Sequence, residues 1–276
     1  MGSVGPGQIA YALVMIAIGL AGLILGGVMP VWSPIPKTFP AHDALAYLCD
    51  VVSIGCGVGL LVPRASAMAA RVLLGYLVVW MVVFRVGDIL REPGVFGAWD
   101  GCAETIVIVA GAWVLAGAGV RVARVLYGMA MIPFGLAHFL FVKETAVLVP
   151  SYLPAHVAWV YVTGSAFLAA GAAVLANIAA PLAATLSALQ IGLFTVLVWV
   201  PLVAAGSRTP FVWSEFGIST ALTAAAWVVA DSFSGAGPFS TQDNRASSTP
   251  VGSGRHHSSH PVRLRKNIRE CTPRNA

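Results

Sequence analysis

Asp43, Tyr47 and Asp50 stand at spacings i, i+4 and i+7, and Arg85, Asp88 and Glu92 repeat that kind of interval at i, i+3 and i+7. On a helix each trio projects from one face. The first offers two carboxyl groups and a phenol, the second a guanidinium among carboxyl groups. That is the chemistry of ion pairing or of a polar cavity that binds a small molecule. Asp100 and Glu104 stand close by in sequence, and Glu215 lies near the start of a later apolar run. His138 sits inside another apolar run that ends in Lys143 and Glu144, while His42 and His156 each close a similar phrase, "IPKTFPAH" and "VPSYLPAH".

Each group also has a purely structural reading. Arg85 with Asp50 or Asp88 fits a helix-orienting ion pair, and His138 fits an interhelical hydrogen bonder. His42 and His156 fit interfacial side chains bonded to a nearby carbonyl. Asp50 lies ten residues past Pro40, about 15 Å along a helix, and Arg85 lies a comparable distance before the far end of its own segment. An Arg85 to Asp50 contact is therefore expected. Gly22/Gly26 and Gly55/Gly59 are G-x-x-x-G pairs, which favour close helix approach.

The elements that hold these residues must lie in a bilayer. Of the 276 residues 58% are hydrophobic and only 10% charged, against roughly 25% charged in a soluble domain. Eight apolar windows, near 8–29, 42–62, 70–90, 101–119, 123–142, 155–176, 182–205 and 214–232, each approach the roughly 20 residues that cross a hydrocarbon core. The first window has no basic flank or cleavage site of the secretory kind and reads as a retained helix.

Seven of the sixteen Lys and Arg residues lie beyond Asp231, so the basic balance describes topology and not a nucleic-acid partner. From residue 233 to 276 the chain is rich in Ser, Arg, Pro, Asn and His and is expected to be disordered. His256, His257 and His260 there lack companion ligands. Cys49, Cys56, Cys102 and Cys271 form no C-x-x-C pair and no metal-ligand spacing. No zinc-binding helix, phosphate loop or Ser-His-Asp pattern is present, so hydrolase, nucleotide-binding and haem readings have nothing to rest on.

The chain also repeats itself. At a separation of 114 positions Pro36 falls on Pro150, Pro40 on Pro154, His42 on His156, Tyr47 on Tyr161, Gly57 on Gly171 and Trp99 on Trp213. "GLAGLIL" at 19–25 matches "GLAHFLF" at 135–141 after a two-residue shift, which sets Gly22 opposite His138. Two four-helix units are expected, 1–119 and 120–232, with 233–276 as a tail. An even number of crossings per unit makes the two parallel, and the fold class is an all-α membrane protein of eight transmembrane helices.

Basic residues orient it. With the N-terminus inside, cytoplasmic loops hold Arg64, Arg71, Arg121, Arg124 and the tail, while outer loops hold Lys37, Arg91, Lys143 and Arg208. Both Pro-Ala-His segments then face outward. Pro40 and Pro154 are expected in the first turn of their helices, where the missing N–H is harmless. The acidic set of the first unit is not repeated in the second, which has Val157, Gly164, Trp199 and Leu202 at the matching positions.

Residues 132–175, "IPFGLAHFLFVKETAVLVPSYLPAHVAWVYVTGSAFLAAGAAVL", resemble the DoxX-like family of small bacterial membrane proteins. The resemblance rests on G-x-x-H-F, V-P-x-x-L-P, Y-x-T-G and a small-residue helix. The second unit is covered end to end; the first matches more weakly, lacking the intramembrane His and the T-G. The resemblance implies a four-helix bundle in the bacterial inner membrane. The family's association with a thiosulfate:quinone oxidoreductase implies a quinone cofactor and a membrane redox partner protein. The matching polar positions are His138, Tyr161 and Thr163.

Three functions stay open at this point. One is a quinone- or thiol-linked redox subunit, another a small-molecule carrier, and the third a non-catalytic assembly partner in the lipid bilayer.

Overall fold

The computed structural model describes residues 5–25, 39–207 and 209–233. Gly26, Pro36, Lys37, Arg208 and the tail from 234, with its three histidines and Cys271, lie outside the described residues.

Eight helices are long and apolar enough to cross a membrane, and among the described residues there is no strand. They are α1 (Pro6–Leu25), α2 (His42–Leu61), α3 (Ser66–Arg91), α4 (Phe96–Leu115), α5 (Val120–Leu140), α6 (His156–Leu175), α7 (Ala180–Ala204) and α8 (Pro210–Asp231). The described helices form one packing unit. Each consecutive pair is in contact, α8 returns to α1, and α4 crosses against α8. The fourth helix of each half thus lies against the first helix of the other and against its own counterpart. With Ala112, Ala225 and Ala226 fully buried, α4 and α8 approach closely at the centre.

The two halves share local detail at the separation of 114. α2 and α6 begin at His42 and His156. α3 and α7 each loosen into a π-helical turn, Met81–Arg85 and Thr195–Trp199. Trp99 Nε1 donates to Pro93 O and Trp213 Nε1 to Ser207 O, both at 3.0 Å. These indoles tie the loop before their helix to its first turn, half exposed as interfacial tryptophans are.

Two expectations need correction. Pro40 and Pro154 precede the helices instead of opening them: Ala41 and Ala155 stand between in the left-handed region, at φ 57° and 56°. His42 N–H bonds Phe39 O, so Pro40 and Ala41 occupy the middle of a tight turn, with proline where its fixed φ fits best. The close approach of α1 to α2 is made by Gly19, Gly22 and Gly57, while of the Gly55/Gly59 pair only Gly59 is at close contact, with Ala69 of α3. A Cβ on Gly19 would lie 2.5 Å from Asp50 O, and one on Gly57 2.7 Å from Ala12 O. Gly55 has open space around it, so its face is turned away from the bundle.

Candidate functional site

Arg85 ends the π-helical turn of α3, which widens the helix and re-aims its side chain toward α4. Its Nε donates to Thr105 Oγ1 at 3.1 Å, and that hydroxyl in turn donates to Gly101 O at 3.1 Å. The guanidinium fits because residue 101 has no side chain: a Cβ there would lie 2.7 Å from an Arg85 terminal nitrogen. Glu104, one turn further along α4 than Asp100, is within electrostatic reach of Asp100, Glu215 and Arg85. Glu215 belongs to α8, so this cluster bridges the central helices of the two halves. Its members are half-buried, and Asp100 Oδ1 is shielded and has no hydrogen-bond partner among the described residues.

Asp88 also lies near Arg85 but is paired with Arg91, and Glu92 is exposed. Glu104 faces both the Arg85 guanidinium and the neighbouring carboxyl groups of Asp100 and Glu215, so among the described residues carboxyl groups outnumber cations at the seam. In the second half Trp199 stands where Arg85 does, packed edge-on to Phe211 at 6.1 Å. Glu215 stands where Gly101 does.

The expected Arg85 to Asp50 contact is not formed among the described residues. Arg85 turns to α4, whereas Asp50 turns to α1. Asp50 is 1% exposed, and neither carboxyl oxygen has a hydrogen-bond partner among the described residues. It is seated on Gly22, where a Cβ would overlap the carboxyl group. Tyr76 of α3 and Cys49 of its own helix are its electrostatic neighbours.

Asp43 and Tyr47 do not join it. The Asp43 side chain is 87% exposed and bonds His42 Nδ1 at 3.1 Å, and Tyr47 is 47% exposed on the outer surface of the bundle. Tyr161, its counterpart, is 46% exposed and touches the Phe139 ring at 5.8 Å. Helical spacing set these residues near a common side of α2, but the buried face of α2 runs through Ala46, Cys49, Asp50 and Ser53, which leaves Asp43 and Tyr47 off it.

His138 donates Nδ1–H to Phe134 O at 2.7 Å, since a carbonyl only accepts. Its ring packs beside Phe167 at 5.5 Å and Phe194 at 5.9 Å. Thr163 bonds back to Trp159 O at 2.8 Å and accepts Gln190 Nε2 on its own carbonyl at 3.0 Å. His156 opens α6, half-buried. These residues are engaged within or beside their own helices and do not converge.

Sequence reasoning passed over a hydroxyl cluster. Thr195 Oγ1 meets Ser219 Oγ at 2.6 Å and Thr223 Oγ1 at 2.9 Å, holding the π-helical turn of α7 to α8. The i, i+4 pair Ser219 and Thr223 in an apolar helix was its available signal. A groove of about 870 Å³ between α1, α7 and α8 runs past Thr195 and Thr223 toward Trp227 and Asp231 and is mostly apolar. Among the described residues no three His, Cys, Asp or Glu side chains gather closely enough to hold a metal ion.

No protein-family model, curated protein or solved structure matches the chain.

Proposed function

We propose that this multi-pass membrane protein is a carrier for a small cationic solute, with its binding groups at the seam of two parallel four-helix repeats. The observation that carries the reading is the linked set of carboxyl groups Glu104, Asp100 and Glu215, of which Glu104 also faces Arg85. It joins α4 of one half to α8 of the other. Ionisable groups inside a bilayer are expensive and face a cavity or partner, and carriers built from repeats bind between them. Three carboxyl groups against one guanidinium favour a cation. The shared helix starts, π-helical turns and tryptophan anchors support the duplication. The distribution of Lys and Arg supports both termini being cytoplasmic, which opens the seam outward, and the DoxX-like resemblance supports a bacterial inner-membrane setting.

DoxX-like membership remains our proposal for the second repeat, supported by the residues quoted above. A quinone- or thiol-linked redox role has less support. His138 is bonded to its own helix between phenylalanine rings, Tyr161 faces outward, and Cys49, Cys56 and Cys102 are buried free thiols. An assembly-partner role has no observation of its own.

Purified protein in proteoliposomes on a solid-supported membrane tests the carrier reading. Concentration jumps of putrescine, guanidinium and choline should include at least one that evokes a transient inward current. Glu104→Gln and Glu215→Gln should each reduce it about tenfold or more, a loss near 1.4 kcal/mol of solute binding. No current with any of the three, or a current that both variants leave unchanged, would overturn it.

A further inference from the structure

The packing of α1 on α2 and of α5 on α6 is the same interface built twice, and one position in it is exchanged. Gly19 lies against Asp50 O and the Ile54 side chain, as Gly135 lies against Gly164 O and the Leu168 side chain. Gly57 lies against Ala12 O and Ile16, as Gly171 lies against Gly128 O and Ile132. These matches set Gly22 in the place of His138 and Asp50 in the place of Gly164. In the first half α1 supplies the glycine and α2 the carboxyl group, a Cβ on Gly22 overlapping Asp50. In the second, α6 supplies the glycine and α5 the imidazole, a Cβ on Gly164 falling 2.7 Å from His138 Cβ. Each half therefore buries one ionisable side chain at the same spot, from opposite helices.

The two are not equally satisfied. His138 has its bond to Phe134 O, whereas both Asp50 oxygens are shielded without a hydrogen-bond partner. Asp50 is the ninth residue of α2, about 12 Å into a helix about 30 Å long, close to the middle of the bilayer. An unpaired carboxylate there would carry a penalty of several kcal/mol.

α1 presents Gly19 and Gly22, α3 presents Tyr76, and α2 itself presents Cys49, so among the described residues no cation faces it, nor is there among them a donor set for a metal ion. What remains to neutralise the group is a proton.

We propose that Asp50 is a proton-binding site within the membrane, a carboxylic acid that takes up and releases H⁺ between α1, α2 and Tyr76. The step is the simple equilibrium of a carboxylic acid with its carboxylate and one proton. What the proton does rests on the carrier reading, where it would be the coupling ion. The site itself does not depend on that reading.

Infrared spectroscopy of the protein in nanodiscs tests the site without any solute. At neutral pH the spectrum should contain the high-frequency C=O stretch of a carboxylic acid that is not hydrogen-bonded. Carbon-13 in the aspartate carboxyl should shift that band, Asp50→Asn should remove it, and Asp100→Asn should keep it. It should move on transfer to heavy water and fade as the pH is raised. Should Asp50→Asn fail to yield folded protein, the isotope shift in wild type and its retention in Asp100→Asn decide the matter. A spectrum without an aspartate band of this kind would overturn the proposal. So would a band that Asp50→Asn leaves in place, or one that heavy water never moves. Transport could fail while the Asp50 band is present, in which case the carrier reading falls and the proton site stands.

Discussion

Gly22→His alone should abolish recovery of monodisperse protein, and adding Asp50→Gly should restore much of it. At Gly22 even a Cβ overlaps the Asp50 carboxyl group, and the backbone of α1 cannot retreat, because Gly19 and Gly57 already hold it at contact distance from α2. An imidazole there belongs to the upper end of overpacking, about 3 kcal/mol or more. The double variant reproduces the arrangement that His138 and Gly164 make in the other half. It should recover at least ~1.5 kcal/mol relative to the sum of the single changes, the signature of two residues sharing one space. Thermal unfolding followed by size-exclusion chromatography reads both quantities. A double variant no more stable than Gly22→His would mean that the two interfaces are not equivalent.

The second large effect falls on Arg85. Arg85→Leu removes the cation that faces Glu104 and leaves Glu104, Asp100 and Glu215 facing each other, with Thr105 losing its donor partner. Removing one partner of a buried charge pair costs about 3–5 kcal/mol. For these half-buried groups, which solvent partly screens, about 2 kcal/mol is the fitting expectation. Combining Arg85→Leu with Glu104→Gln should recover at least half of the lost stability by lowering the uncompensated charge. The same pair of thermal measurements checks this, and an additive double variant would contradict an electrostatic link between α3 and α4.

Much of this architecture was legible in the residues. Long apolar runs leave no choice but helices in a bilayer, so the eight spans were readable to within a few positions. The recurrence of Pro, His and Trp at one separation correctly matched the starts of α2 and α6. The neighbours of each face were harder to read. Spacing assigns Asp50 and Arg85 to faces of their own helices, but which helix each face meets depends on the crossing of α3 over α4. A π-helical turn with no sequence signature rotates Arg85 away from α2. Of the G-x-x-x-G pair Gly55 and Gly59 only Gly59 meets a neighbouring helix, at Ala69, since a small residue permits contact without specifying it.

The cluster at the seam lay half in view. Arg85, Glu104 and Asp100 stood out as charges in apolar segments, and Glu215 was visible at the mouth of its helix. Their meeting depended on the contact of α4 with α8 across the repeats, which no local pattern encodes. The exchange between Asp50 and His138 was hidden for a subtler reason. The separation of 114 places Asp50 on Gly164 and the two-residue shift sets Gly22 opposite His138, but that both pairs fill the same spot is settled only by the packing of α1 on α2 and of α5 on α6.

The most direct measurement is the reaction of cysteines placed at Glu104 and Glu215, one at a time, in protein whose native cysteines are replaced by serine. The account predicts that both positions are modified by a membrane-impermeant thiosulfonate added from the side that carries His42 and His156. A cationic reagent should react about tenfold faster than an anionic one, because the remaining carboxyl groups concentrate positive charge. Modification from the opposite side only, or equal rates for the two reagents, would contradict a negatively charged seam open between the repeats.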